Sequence, residues 1–192
     1  MDGMTTDDLR ESIIDAADRL YYAKGYAAVG MDELRTEAGV SLRRLYTVFA
    51  SKDDIVLAVL DRRHQTWESG LAESVARAAD PRDRLLAIYD YLADWFCDDE
   101  FRGCGFINAF GELGGTRPAV AEAAREHKAS FQRYVAGLVA DAGAPPALAA
   151  QLAILAEGAQ TTAAISGDAS VAAQARGAAE VLVAAAGVAV PA

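Results

Sequence analysis

Cysteine and histidine are scarce in this chain of 192 residues, with two of each. Cys97 and Cys104 are too few for a disulfide framework, and their spacing, with Arg102 and Gly103 between them, matches no metal-ligand pattern. They read as free thiols in a reducing compartment, with a redox-sensing pair as the lesser alternative. His64 and His127 stand far apart. No i, i+4 metal pair, no ordered Ser/His/Asp set and no phosphate-binding glycine loop accompanies them, and nothing aligns Glu112 with His127 as an acid/base pair. The chain therefore reads as neither an enzyme nor a holder of metal or cofactor. Long apolar runs are missing too. The longest, Val181 to Ala192, falls well short of the roughly twenty residues that a bilayer requires. The opening MDGMTTDDLRE is acidic and has no apolar signal region. The expectation is a soluble, cytoplasmic protein with no membrane partner.

Positive charge is also in deficit: the formal net charge is -10. That argues against general nucleic-acid binding but not against a local basic patch, because contact depends on where charge sits. Proline is sparse, β-branched runs are few, and no period-2 alternation is sustained. What the chain has in quantity is apolar residues, 53 % of the total, with much alanine. A sizeable core and a helical backbone follow. The fold class expected is all-α, with about nine helices.

Leu9, Ile13, Ala16, Leu20 and Ala23 form one apolar stripe, started by Thr5 or Thr6 with Asp7 and Asp8 and closed by Gly25. A second short helix is expected from Met31 to Ala38, with Met31, Leu34 and Ala38 inward. Gly39 then permits a sharp turn, and Ser41 is placed to cap a third helix over 42–49. On a helical wheel Leu42, Leu45 and Phe49 share one arc, while Arg43, Arg44 and Thr47 fall on the opposite one. Ser51 and Asp54 start a long helix with Val56, Leu60, Trp67, Leu71 and Val75 on its stripe. Pro81 precedes a helix over 82–97 with Leu85, Ile88 or Tyr89, Leu92 and Phe96 inward. Further helices are expected over 107–113, 118–142, 146–165 and 171–188, the last two hinged at Ser166-Gly167-Asp168.

Two short helices joined by a glycine-containing turn, after a longer first one, describe a helix-turn-helix. Its second helix enters the DNA major groove, where arginine can fork onto guanine or phosphate. Tyr46 and Thr47 can donate hydroxyls to phosphate, and Lys52 lies in the first turn of the next helix, a second place for a phosphate. Residues 1–52 hold seven Lys/Arg against nine Asp/Glu, a net of -2, while 53–192 carry a net of -8. Within 41–52 there are three basic residues and no acid. A merely solvated basic face is the bland alternative.

The stretch from Ile13 to about Leu57 resembles the DNA-binding domain of the TetR family of bacterial transcriptional regulators. The residues that carry the likeness are Ala16-Ala17, Leu20, Gly25-Tyr26, Met31, Leu34, Ala38-Gly39-Val40-Ser41, Leu45-Tyr46, Phe49 and Ser51-Lys52-Asp53. The resemblance implies that the positions of Tyr46 and Lys52 touch phosphates, and that those of Leu42, Arg43, Arg44 and Thr47 approach bases or nearby backbone. With Ser41 these are the DNA-binding candidates. Val29 and Gly30 stand where the family usually has Thr followed by Ser or Thr; Gly30 can still cap the helix, though the phosphate-binding hydroxyl is gone. Arg35 replaces a usual Ala, Arg43 a common Gly, and Val48 an aromatic or His.

The resemblance further implies a division into a DNA-binding domain over 1–52 and a ligand-binding and dimerisation domain over 53–192. Pockets are lined by apolar and aromatic groups with few polar anchors; Trp67, Tyr89, Trp95, Phe96, Phe106, Phe110 and Phe131, with Asn108, Glu112 and His127, are the candidates here. The same aromatics are also what a plain core would use. In the family the last two helices pair with their copies, and here both are rich in small residues. The expected function is a homodimeric repressor, released from a palindromic double-stranded operator by a small-molecule effector. A helical ligand-binding or protein-interaction module without operator binding is the alternative.

Overall fold

The computed structural model describes residues 5–188, which form nine helices and, among those residues, no strand. The ends of the apolar run 181–192 and of the acidic opening segment lie outside the described residues. The helices are α1 (Thr6–Lys24), α2 (Met31–Glu37), α3 (Leu42–Val48), α4 (Lys52–Ala76), α5 (Pro81–Phe96), α6 (Gly105–Leu113), α7 (Pro118–Asp141), α8 (Ala147–Ser166) and α9 (Val171–Ala185). No helix among them is long and apolar enough to cross a membrane.

Local signals account for most of the boundaries. Thr5 and Asp8 close a reciprocal capping box at the start of α1, and Gly25 ends it at φ +91°. Asp80 caps α5, with Pro81 in its first turn. Gly167 ends α8 in the left-handed region. The differences from the expected bounds are small. Helix α6 starts two residues early, at Gly105, and α9 stops at Ala185. Phe49, expected as the last residue of α3, is instead extended at φ -126°, ψ 121°. That conformation turns the chain toward the start of α4.

The chain divides into two compact units, and the division falls inside α4. The first joins residues up to Gln65 with Gly105–Arg125. In it α1, α2 and α3 pack on one another, around Ile13, Ala17, Tyr21, Leu34 and Leu45, all buried. Each such side chain contributes about 1.5–3 kcal/mol on burial. Arg62, on α4, pairs with Asp15 and Asp18 of α1, and Arg63 pairs with Asp18 while lying 3.9 Å from the Tyr22 ring centroid. Partly exposed pairs of this kind add about 0–1 kcal/mol each, so they set direction more than stability.

The second unit joins Thr66–Cys104 with the chain from Glu126 onward. Helices α5, α8 and α9 pack mutually. Ala156, Ala159, Ala163, Ala175 and Ala179 lie buried where these helices meet, and their small side chains let the backbones approach. The stripe read on α4 (Trp67, Leu71, Val75) and that read on α5 (Leu85, Ile88, Leu92, Phe96) are both buried here. Tyr89 is wholly buried and donates its hydroxyl to the Leu152 carbonyl at 2.8 Å. Gly70 admits the Tyr91 ring, since a β-carbon there would lie 2.8 Å from it.

Candidate nucleic-acid interface

Helix α3 begins at Ser41, whose Oγ accepts the Arg44 N–H at 3.2 Å. Before it, Gly39 at φ +66° reverses the chain, while Val40 N–H returns to the Arg35 carbonyl at 2.9 Å and closes α2. Only glycine takes this φ without steric cost. Leu45 and Phe49 anchor α3 from below, fully buried or nearly so, and the Arg10 guanidinium lies 4.8 Å from the Phe49 ring centroid. Arg43, Arg44, Tyr46 and Thr47 are exposed on the other side. Leu42, placed inward by the wheel, is 37 % exposed. As the first helical residue it projects past the end of the apolar arc and joins the outward face.

Charge pairing separates these arginines from most other cations of the unit, Arg10 and Lys52 being held instead by ring and carbonyl contacts. Arg19 pairs with Glu37 at 3.1 Å, Lys24 with Glu33, Arg35 with Asp32 at 2.8 Å and Arg117 with Asp53 at 3.2 Å. Among the described residues neither Arg43 nor Arg44 makes an ion pair. Two full charges therefore face outward on the second helix of a helix-turn-helix. Arg35, which replaces the common Ala, turns back onto its own helix.

The hydroxyls differ in readiness. Tyr46 is 47 % exposed, and among the described residues its hydroxyl makes no hydrogen bond. Ser41 uses its oxygen as acceptor and keeps its proton to give. Thr47 already donates to the Arg44 carbonyl at 2.6 Å. Because phosphate oxygens only accept, Thr47 must break that bond to donate to one. Lys52 is half-buried: Nζ donates to the Ala27 carbonyl at 3.4 Å and lies 5.8 Å from the Tyr21 ring centroid. Burial lowers its pKa, while Asp53 and Glu112 pull the other way. At the start of α2, Gly30 makes no side-chain cap, as its lack of a hydroxyl requires.

The ligand candidates divide between the two units. In the second unit Trp67 is the hub of an aromatic cluster. Its ring centroid lies 5.0 Å from Tyr91, 5.4 Å from Trp95, 5.8 Å from Phe131 and 6.2 Å from His127. Phe101 packs on both Trp95 and Phe96. Trp67 and Phe131 also line a groove of about 460 Å³ with Glu68, Leu71, Ser130, Arg133 and Tyr134, where Ser130 Oγ donates to Glu68 at 2.6 Å. Tyr89 is committed to Leu152. The other four candidates lie on α6 in the first unit. Phe106 is buried, edge-on to His64 at 6.4 Å; Phe110 is 48 % exposed; Asn108 is half-buried; and Glu112 accepts the Ala27 N–H. Sequence reading did not pick out Glu68, Ser130 or Arg133. The spacing of His127, Ser130, Phe131 and Tyr134, one face of α7 at steps of three and four, was the signal available for Ser130. Among the described residues no group of three or more His, Cys, Asp or Glu could hold a metal ion.

Residues 13–59 match the family model described as bacterial regulatory proteins, tetR family, and residues 81–179 match that of the tetracyclin repressor-like C-terminal domain. A TetR-family transcriptional regulator from Streptomyces coelicolor superposes with a TM-score of 0.87 at 26 % identity, covering 93 % of this chain and 95 % of that one. A putative regulator of the same kind from Streptomyces avermitilis gives 0.82 at 27 %, covering 94 % and 99 %. The HTH-type transcriptional activator FasR of Mycolicibacterium smegmatis is 37 % identical over 93 residues, 48 % of this chain and 42 % of that protein. The Escherichia coli repressor NemR is 28 % identical over 115 residues, 59 % of this chain and 58 % of that protein. The chain thus spans about half the length of these curated relatives.

Proposed function

The chain belongs to the tetR family of bacterial transcriptional regulators, and from that premise we propose that it is a homodimeric repressor that leaves a palindromic operator when a small molecule occupies its C-terminal part. DNA binding by a helix-turn-helix is the family's activity. The residues assigned to it here are Ser41, Leu42, Arg43, Arg44, Tyr46, Thr47 and Lys52, within a DNA-binding segment over 1–52. One observation carries this reading: Arg43 and Arg44 face solvent without an ion pair in a unit whose other described basic residues are largely paired. Ionised donors held in this way match the negative charge and acceptor edges of DNA. Tyr46 and Ser41 supply neutral donors beside them, and Lys52 keeps two of its three protons for phosphate.

The apolar surface of α8 and α9 supports a dimer. Ile154 is 70 % exposed and Val181 69 %, and both line an open apolar groove with Leu155, Ala178 and Leu182. A second copy laid against these helices would remove that surface from water. Two copies of α3 would then address successive major grooves about 34–36 Å apart, hence the palindrome. The Trp67 cluster and its groove support an apolar, aromatic effector in residues 53–192. Such a ligand shifts the protein off DNA only by preferring the unbound form. Activation is the alternative sign of control, since one named relative is an activator and another a repressor. The cytoplasm is the compartment proposed.

The test is selection of genomic duplexes on the purified full-length chain, followed by footprinting. Two protected half-sites one helical turn apart, or a multiple of it, are expected. Retention of no duplex above a random competitor sinks the assignment and leaves the module without operator binding.

A further inference from the structure

Glu112 lies near the end of α6, yet its carboxylate is engaged on the connection between α1 and α2. Oε2 accepts the Ala27 N–H at 2.8 Å. Both carboxylate oxygens press on Gly25, where a β-carbon would meet each at 3.0 Å. Ala27 is held at its other end as well, because Lys52 Nζ donates to the Ala27 carbonyl at 3.4 Å. Ala27 is thus gripped at its N–H from α6 and at its C=O from the first turn of α4. Glu112 and Lys52 attract one another across it. Beside them Asp53, also in the first turn of α4, pairs with Arg117 at 3.2 Å. All these groups belong to the compact unit that contains α3.

The connection needs such help. Residues between two helices have backbone donors without ladder partners, and α2 starts at Gly30 with no side-chain cap of its own. Helix α2 packs on α3, so any looseness at the start of α2 passes to the helix that carries Arg43 and Arg44. A carboxylate accepting a backbone N–H is a strong, short-range restraint of the kind that fixes a loop. We infer that Glu112 is a positioning residue for DNA binding: it touches no base or phosphate, and with Lys52 it clamps Ala27 at its N–H and its C=O so that α2, and through it α3, holds its DNA-binding pose. This rests on the reading of residues 41–52 as the DNA-contacting face.

Electrostatics and the clamp predict opposite signs, which makes the inference testable. Removing an acid from a DNA-binding unit should by charge alone strengthen binding to a polyanion. Loss of the clamp should weaken it. The experiment uses the full-length chain with a duplex that the wild type selects from genomic fragments, and reads affinity together with hydrogen exchange at the Ala27 amide. Glu112→Ala is expected to lose roughly tenfold in affinity and to speed Ala27 exchange by a similar factor. Glu112→Gln, whose amide oxygen still accepts the Ala27 N–H, should return both toward wild type. If Glu112→Ala does not fold, Glu112→Asp, one methylene short of Ala27, takes its place with the same expected losses. Equal or tighter binding by Glu112→Ala or Glu112→Asp overturns the inference, as does an Ala27 amide that is unprotected in the wild type. If the wild type retains no duplex, the DNA-binding reading has failed instead, and amide exchange still decides whether the clamp exists.

Discussion

Replacing Arg44 with alanine separates two jobs that the same guanidinium could do. The side chain is exposed, and among the described residues it makes no ion pair and no side-chain hydrogen bond. Its loss should therefore leave folding stability within about 0.5 kcal/mol, as for other surface positions without partners. Its backbone N–H, which meets Ser41, is unaffected by the change. Binding is another matter. If Arg44 forks onto a base, each protomer loses about 1–3 kcal/mol of discrimination at one position. A dimer loses twice that, at least about thirtyfold in affinity. If it rests on phosphate, the loss falls equally on all sequences, and the slope of log K against log salt drops by about 0.9 for each phosphate released. Fluorescence anisotropy with the selected duplex and a scrambled one, at several salt concentrations, reads both quantities. The same series on Arg43→Ala assigns its neighbour. Wild-type affinity and slope in both variants, with circular dichroism unchanged, would refute the placement of α3 against DNA.

Ile154→Glu puts a charge into the exposed apolar surface of α8, and sedimentation should show the proposed dimer shifting to monomer at micromolar concentration while helicity is kept; an unchanged dimer excludes this face, and a monomeric wild type refutes the dimer itself. Gly30→Ser adds a capping hydroxyl where the backbone is already extended at φ -96° and a β-carbon meets nothing within 4 Å, so stability should rise by a few tenths of a kcal/mol in denaturant titrations. The buried phenols of Tyr21 and Tyr89 are raised above their ordinary pKa by burial. The unfolded chain ionises first, near pH 10, so their contribution is complete below that pH and lost as pH rises above it. Tyr89→Phe should cost about 0.5–1.5 kcal/mol at pH 9 through the lost bond to Leu152, and make the alkaline decline shallower. A decline as steep as wild type would mean that Tyr89 does not carry the effect.

Where sequence reading worked, the cause of the structure was local. Ser41 caps α3 because a short hydroxyl reaches a backbone N–H three residues on, and Leu45 and Phe49 face inward because they are four apart. Both facts involve fewer than ten residues. Gly25 was legible in the same way as the end of α1, and its φ of +91° agrees. Its second constraint, the Glu112 carboxylate at a would-be β-carbon, has no trace in the local sequence, because the partner is 87 positions away. The role of Glu112 at Ala27 was hidden in the sequence for the complementary reason. A carboxylate among Phe106, Asn108 and Phe110 has the composition of a ligand anchor, while its actual partner is the N–H of an alanine, a donor present at nearly every position and marked by no side chain. The allegiance of α6 to the unit of residues 5–65 is invisible on the same grounds. An apolar stripe on a nine-residue helix states that one face is buried and is silent on what buries it. Leu42 shows the limit from the other side: a helical wheel assumes that core lies beneath the whole length of the helix, and at the first residue of α3 it covers the side chain only in part. Pattern thus fixes which side chains turn inward, and backbone donors at a distance decide what each surviving polar group is for. The carboxylate that reaches an unladdered N–H in a connecting turn is therefore the group most worth seeking when a polar residue is assigned to a pocket on composition alone.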